Sequence, residues 1–368
     1  MLGLCSGLCS PEGTICREQN ACKGNCHTRR SEETIFGNIT DVPGIKVGVA
    51  TDQNAATGCT VMIMEDGAVG GVSVQGGAPG SRETDLLSPF CRVEEVHGIA
   101  LSGGSAFGLD TASGVMRYLE EKQCGLPVGP YRIPIVPAAI LFDLFIGTGN
   151  VRPDAEWGYQ AASNAVAGEF PQGSAGAGTG ATVAKSLGMH GAVKAGQASL
   201  SRELPGGLIV GVLVVVNALG DVWDTRGALL AGPRDPESGQ MRTTLDIFSA
   251  GEAVIERGRA PEDIDLPGDS GGGMNTTLGV VATNAALSKV EVNRVAALAH
   301  NGLARTIKPL HTGWDGDTVF ALANPRGKTA LVDVVAAVGA ELMAEAVPLA
   351  LYRAVSLSGV PALKDLKL

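Results

Sequence analysis

The sequence predicts a layered α/β fold in which sheet packs on sheet and helices lie outside. Three observations carry this prediction. Leu208 to Val216 is an unbroken apolar run between Gly206 and Asn217, and unalternating runs of this kind belong to strands covered on both faces. Ala112, Val115, Met116 and Leu119 recur at helical spacing, as do Val292, Val295, Ala296, Ala299 and Leu303. Aromatic residues make up only 4% of the chain while glycine reaches 52 residues, so the interior must be Ala, Val, Leu and Ile in close contact. Doubly covered strands with one-sided helices make layers.

Taken in order, the folded part is expected to start near Gly37. Ile39 to Val49 reads as a strand, a Pro43-Gly44 turn and a second strand. Thr60 to Met64 and Gly70 to Val74 read as two short strands. Gly98 to Leu101 is a strand ending in a glycine elbow, which feeds a helix over Asp110 to Lys122. Arg257 to Asn275 is polar, rich in Pro, Asp and Gly, and aperiodic, so it reads as an internal linker. A strand over Thr277–Thr283 follows. Ser288 and Glu291 then form a capping box that opens a helix. Thr318 to Ala323 is a further strand, and Thr329 to Ser356 a helix that Pro348 breaks or kinks. No repeat of fixed period occurs.

Composition excludes some functions. Net charge is 28 − 38 = −10 with no basic cluster, which argues against nucleic acid and an anionic membrane surface as partners. No run of about 18 uninterrupted apolar residues predicts a membrane span. Five of the eight cysteines, Cys5, Cys9, Cys16, Cys22 and Cys26, fall in the first 26 residues. Cys22, Cys26 and His27 could form a metal knuckle, or the five a disulfide knot, but no paired C-x2-C spacing is present. Residues 1–36 are therefore expected to be a loosely held extension without catalytic role, and 37–368 a single domain. Cys59, Cys91 and Cys124 read as buried small hydrophobes. No apolar signal region is seen, which makes the cytoplasm the default location.

The chemistry concentrates at Gly268-Asp269-Ser270-Gly271-Gly272-Gly273-Met274-Asn275-Thr276-Thr277. A glycine-rich loop runs into a hydroxyl residue that opens an apolar strand, the layout of a self-cleaving precursor. It reads equally as an ordinary loop before a strand. If the Asn275–Thr276 bond breaks, Thr276 gains a free α-amine with a pKa near ~8 beside its own hydroxyl, so one residue supplies nucleophile and base. Such a nucleophile needs an oxyanion donor, groups that tune the amine, and a carboxylate. Lys185 follows the small-residue run Gly176 to Ala184, where burial makes a lysine costly without purpose. Asn217 ends the long apolar strand and reads equally as a turn residue. Asp315-Gly316-Asp317 follows His311-Thr312-Gly313-Trp314. Those aspartates could turn the chain, serve catalysis or bind calcium, though no EF-hand spacing accompanies them.

Competing motifs fall short. Gly103-Gly104-Ser105-Ala106-Phe107 has Phe107 where a nucleophile elbow requires glycine. The Gly176–Gly180 run lacks the Gly-Lys-Ser/Thr ending of a phosphate loop. His27, His97, His190, His300 and His311 form no metal motif, so neither a metal nor a cofactor is expected.

Ile39–Gly48, Leu101–Gly108, Ile135–Ile140, Gly173–Lys185, Asn275–Asn284 and His311–Phe320 together resemble the DmpA-type aminopeptidases and their relatives, the nylon-oligomer hydrolases. The resemblance implies an α/β fold of the four-layer αββα sandwich type, shared with ornithine acetyltransferase. It further implies self-cleavage before the nucleophile, into residues 1–275 and a second piece of 368 − 275 = 93 residues. The two fragments would stay together and assemble into a homo-oligomer. By the same resemblance Thr276 is similar to the family nucleophile, Lys185 and Asn217 to its neighbours with Asn217 in the oxyanion place, and Asp315 and Asp317 to the paired acids of the threonine branch. Phe142 stands where relatives carry a tyrosine near the oxyanion, and Phe142 and Ser105 are expected in the substrate pocket. The implied activity is hydrolysis of small peptides, amino-acid amides or short amide oligomers through an acyl-enzyme. An acyltransferase of the ornithine acetyltransferase kind and a catalytically silent scaffold are the alternatives.

Overall fold

The computed structural model describes residues 35–235, 238–253 and 275–366. The expected N-terminal extension, up to residue 34, and the linker, up to residue 274, lie outside the described residues. Eight strands organise the rest: β1 (Lys46–Asp52), β2 (Thr57–Val74), β3 (Glu95–Ser102), β4 (Ala138–Ile140), β5 (Gln197–Leu204), β6 (Leu208–Asn217), β7 (Thr276–Ala285) and β8 (Thr318–Lys328). They pair in the order β5-β6-β7-β8-β2-β3-β4, with β1 also on β2 and the two-residue strands Ile35–Phe36 and Ser81–Arg82 at the ends. The β7–β8 and β3–β4 pairs are parallel, and the others antiparallel.

This ladder folds on itself because β2 serves both halves. Its first part pairs with β1 and β3, and its last part, from Val69, pairs with β8. Between them the register with β3 shifts, and Gly67 takes φ +75°, a conformation that glycine adopts without strain. Thr60–Met64 and Gly70–Val74, expected as separate strands, are therefore one strand with an irregularity at the bend.

Alternation then sorts the side chains into three interlayer cores. Val210, Val212, Val214 and Val216 of β6, with Val281, Val319 and Ala321, pack beneath helices α4 (Lys289–Thr306) and α5 (Val332–Tyr352). The opposite faces, Leu213, Val215, Leu278, Val280, Phe320 and Leu322, meet Met62, Met64, Ile99 and Leu101 of the other half-sheet. Cys59, Val61, Ile63 and Ala100 pack under helices α1 (Thr111–Glu121) and α2 (Ala155–Ser163), and the short α3 (Thr244–Ala250) lies between α2 and α4 in the chain. The order is helix, sheet, sheet, helix, the four-layer αββα sandwich. It also explains why the β6 run does not alternate: both of its faces are interior.

Glycine lets the helix layers close. A Cβ on Gly302 of α4 would lie 2.0 Å from the Ala340 carbonyl oxygen of α5, and one on Gly114 of α1 would lie 1.7 Å from that of Ala155 in α2. Helix α5 is long and apolar enough to cross a membrane by length and composition, yet more than half of its apolar stretch is buried in the fold.

Some expectations need correction. Ile39–Asp41 is a 3-10 turn, not a strand. Asn38 accepts from the Thr40 N–H at 2.9 Å while Asp41 accepts from the Asn38 N–H at 3.2 Å, so the local side chains outcompete pairing. Of the body cysteines only Cys59 is buried, while Cys91 and Cys124 are half-buried. Pro348 lies within α5 without ending it.

Candidate active site

The centre of the sheet positions the site. At the end of the β6–β7 ladder, Asn217 lies opposite Thr276. The loop before β8 runs alongside the residue preceding β7, and Asn275 and Asp315 form a parallel bridge. The bridge is made by two main-chain hydrogen bonds: Asn275 N–H donates to Trp314 O at 2.8 Å, and Gly316 N–H donates to Asn275 O at 2.6 Å. The Thr276 hydroxyl donates to the same Asn275 oxygen at 2.6 Å. The carbonyl of the 275–276 bond is thus held by an N–H on one side and by the next residue's hydroxyl on the other, and Thr276 is only 2% exposed. Two donors on one carbonyl oxygen favour negative charge there, so the arrangement can polarise this bond.

Lys185 reaches the same end of the sheet. Its Nζ donates to Asn217 O at 3.1 Å and Asn217 Oδ1 at 3.0 Å. Burial pushes its pKa down to about 7, against the opposing pull of Asp315, Asp143 and Asp317. Asn217 is fully buried. Its Oδ1 also accepts from Thr182 N–H at 3.0 Å, and its Nδ2 donates to Phe142 O at 3.0 Å. The Asn217 amide is therefore turned to Phe142, and Gly316 supplies the N–H on the Asn275 carbonyl.

The two aspartates are buried behind the bridge. Asp315 accepts from the Thr312 N–H at 2.9 Å, its hydroxyl at 2.5 Å and the Leu219 N–H at 3.4 Å. Its pKa is raised, first by burial and then by the charge of Asp317. One Asp317 oxygen accepts from Thr277 N–H at 2.6 Å, while the other accepts from His311 N–H at 3.1 Å and faces His311 Nδ1 at 2.8 Å. The His300 ring meets the His311 ring edge-on at 4.7 Å. Burial pushes the His300 pKa down to about 4, which keeps that ring neutral near pH 7.

Phe142 is half-buried, its ring edge-on to Phe145 at 4.8 Å, and its main-chain oxygen accepts from Asn217. Ser105 is joined to this group through its neighbour, since its N–H donates to Leu141 O at 3.1 Å. It sits at φ +56° at the turn leading toward α1. The structure thus gathers Asn275, Thr276, Asn217, Lys185, Asp315 and Asp317 at one end of the sheet, with Phe142 and Ser105 beside them. No group of three or more His, Cys, Asp or Glu residues arranged to hold a metal occurs among the described residues.

Four contributors escaped the sequence reading. Gly316 stands in sequence merely between the two acids, yet its N–H meets the Asn275 carbonyl. His311 and Thr312, which precede the acids in the chain, hold Asp317 and Asp315. Lys194 is fully buried and donates to the carbonyls of Gly178, Ala181 and Ala195, clamping the loop that delivers Lys185. A lysine within the small-residue stretch Ala192-Val193-Lys194-Ala195-Gly196 is a signal of the same kind that singled out Lys185.

Comparison with known proteins fits this geometry. The description of Peptidase family S58 matches residues 37–363. An uncharacterized aminopeptidase of Mycobacterium tuberculosis is 40% identical over 356 residues, 90% of this chain and 98% of its own length. A 6-aminohexanoate-oligomer endohydrolase of Kocuria sp. is 34% identical over 282 residues, 77% of this chain and 73% of its own. The structure of an L-aminopeptidase D-Ala-esterase/amidase from Ochrobactrum anthropi, described as a variant of the Ntn hydrolase fold, superposes with a TM-score of 0.60. It does so over 86% of each chain at 18% identity, which speaks for the fold alone.

Proposed function

This chain belongs to peptidase family S58, a family of hydrolases, and on that premise we propose that it is a self-processing amide hydrolase whose nucleophile is Thr276. Its substrates are small peptides, amino-acid amides or short amide oligomers, the range spanned by the names of its relatives.

Processing comes first. Thr276 Oγ1 attacks the Asn275 carbonyl carbon, the Oγ1–C bond forms and the C–N bond breaks. The hydroxyl proton ends on the nitrogen, which becomes the α-amine of Thr276. Water then cleaves the ester, leaving a carboxylate on Asn275 and restoring the hydroxyl. Gly316 N–H stabilises the oxyanion. The fragments stay together because β7 and β8 of the second lie between β6 and β2 of the first.

Turnover repeats the chemistry on a substrate amide. The free α-amine takes the Thr276 hydroxyl proton and passes it to the leaving nitrogen, and water releases the acyl group. Lys185, Asp315 and Asp317 set the charge around that amine. Asn217, once its amide turns from Phe142 O, adds a second oxyanion donor. Processed protomers assemble into a homo-oligomer.

The observation that carries this reading is the Asn275 carbonyl oxygen held at 2.6 Å by both the Thr276 hydroxyl and the Gly316 N–H. Its test is an acid-quenched incubation with an aminoacyl p-nitroanilide, followed by peptide mapping. The expected result is an acyl adduct on the peptide beginning at Thr276 that hydroxylamine removes. Turnover with an adduct on any other residue, or no turnover by processed protein, contradicts it.

A further inference from the structure

Asn275 poses a problem that processing alone does not explain. Its side chain is fully buried, and neither Oδ1 nor Nδ2 has a hydrogen-bond partner among the described residues. Buried amides are normally satisfied, and an unsatisfied one is costly. The main chain of the same residue is tightly held, by Trp314 O on its nitrogen and Gly316 N–H on its oxygen. The surroundings of residue 275 thus recognise a backbone and accept a short branched side chain, but offer that side chain no polar partner.

We propose that the place occupied by Asn275 before processing is the acyl-residue subsite of the mature enzyme, and that it selects an α-aminoacyl group with a leucine-like side chain. The inference rests on the reading of Thr276 as nucleophile. Processing and turnover then use one Oγ1 and one oxyanion donor, so a substrate carbonyl engaged by Gly316 N–H lies where the Asn275 carbonyl lies. The substrate's α-nitrogen falls at Trp314 O, which accepts its proton. Its side chain enters the space left by the Asn275 side chain. Leucine branches at Cγ as asparagine does and brings two methyl groups where asparagine brings an unsatisfied oxygen and nitrogen. A 6-aminohexanoyl group carries its nitrogen at the far end of the chain, so it leaves Trp314 O without a donor.

The experiment uses the processed protein and four p-nitroanilides: leucyl, asparaginyl, 4-methylpentanoyl (leucine without its amine) and 6-aminohexanoyl. The leucyl compound should exceed each of the others in kcat/KM by about tenfold or more. Equal or faster turnover of any one of the other three overturns the subsite. A second measurement needs no turnover. In the Thr276→Ala precursor, Asn275→Leu should raise Tm by about 2 °C or more, since it removes an unsatisfied amide. A lower Tm overturns the apolar character of the seat. Failure of all four anilides with processed protein rejects the hydrolase reading and this inference with it, whereas a different order of preference rejects the inference alone.

Discussion

Gly316 donates its main-chain N–H to the carbonyl oxygen of Asn275 at 2.6 Å, across a bridge that joins the loop before β8 to the residue before β7. The same oxygen accepts from the Thr276 hydroxyl. One short contact therefore couples the Asp315-Gly316-Asp317 loop to the bond proposed to break, and gives the glycine between the two acids a role of its own.

That position admits no side chain. A Cβ on Gly316 would lie 2.7 Å from Ala78 O and 2.8 Å from Thr276 Oγ1. Gly316→Ala is expected to slow processing by about tenfold or more, the scale of a disturbed oxyanion donor. Thr276→Ser, which keeps the hydroxyl, should still process. Electrophoresis of freshly expressed protein over time measures both, with thermal melting to show that the variants are folded. Unchanged processing in Gly316→Ala would remove the N–H from the mechanism.

His311 holds Asp317, whose other oxygen holds the Thr277 N–H one residue beyond Thr276. His311→Ala should lower kcat by about ten- to a hundredfold with little change in KM, because a buried carboxylate loses its hydrogen-bond donor. His311→Asn should restore much of the loss. Its amide can take the place of Nδ1–H, and asparagine tolerates the φ of +58° found here. Steady-state kinetics on the three proteins decide it, and equal loss in the two variants would mean that His311 only fills space.

Lys185 gives stability a pH dependence of known sign. Burial sets its folded pKa at about 7, below the 10.5 of the unfolded chain. Above about pH 7 the unfolded chain holds a proton that the folded one has released, so stability rises with pH, by at most about 1.4 kcal/mol per pH unit. Below that both states hold the proton and the contribution is flat. Lys194, likewise lowered to about 7 by burial, adds a second rise of the same sign. Urea unfolding of the Thr276→Ala precursor at pH 7.5 and 8.5 measures the slope, and Lys185→Met should remove about half of the lysine part. This window lies below the ordinary cysteine pKa of 9.0, above which Cys59, raised to about 12 by burial, works in the opposite direction. A slope unaltered by the substitution would show that Lys185 keeps its proton.

Much of the architecture was legible because it is written in local periodicity. The β6 run announced a doubly covered strand, and Ser288 with Glu291 announced the start of α4, whose capping box is present. The bend in β2 was not legible, since it depends on which neighbours its two halves find. The turn at Ile39–Asp41 looked extended because its governing bonds come from the side chains of Asn38 and Asp41. At the site, residues with costly chemistry stood out: a lysine among small apolar residues, an aspartate pair, a threonine after glycines. Main-chain groups did not, because the Gly316 N–H donor and the Trp314 O acceptor carry no sequence signature and gain meaning only from what the fold brings against them.

If Thr276 acts as proposed, it breaks the bond between residues 275 and 276. Intact mass of the purified wild-type protein beside its Thr276→Ala variant tests it most directly. Two fragments are expected in the wild type, one ending at Asn275 and one beginning at Thr276, and a single chain in the variant. A single uncut chain in both would contradict it, because no free α-amine would exist to serve as the base.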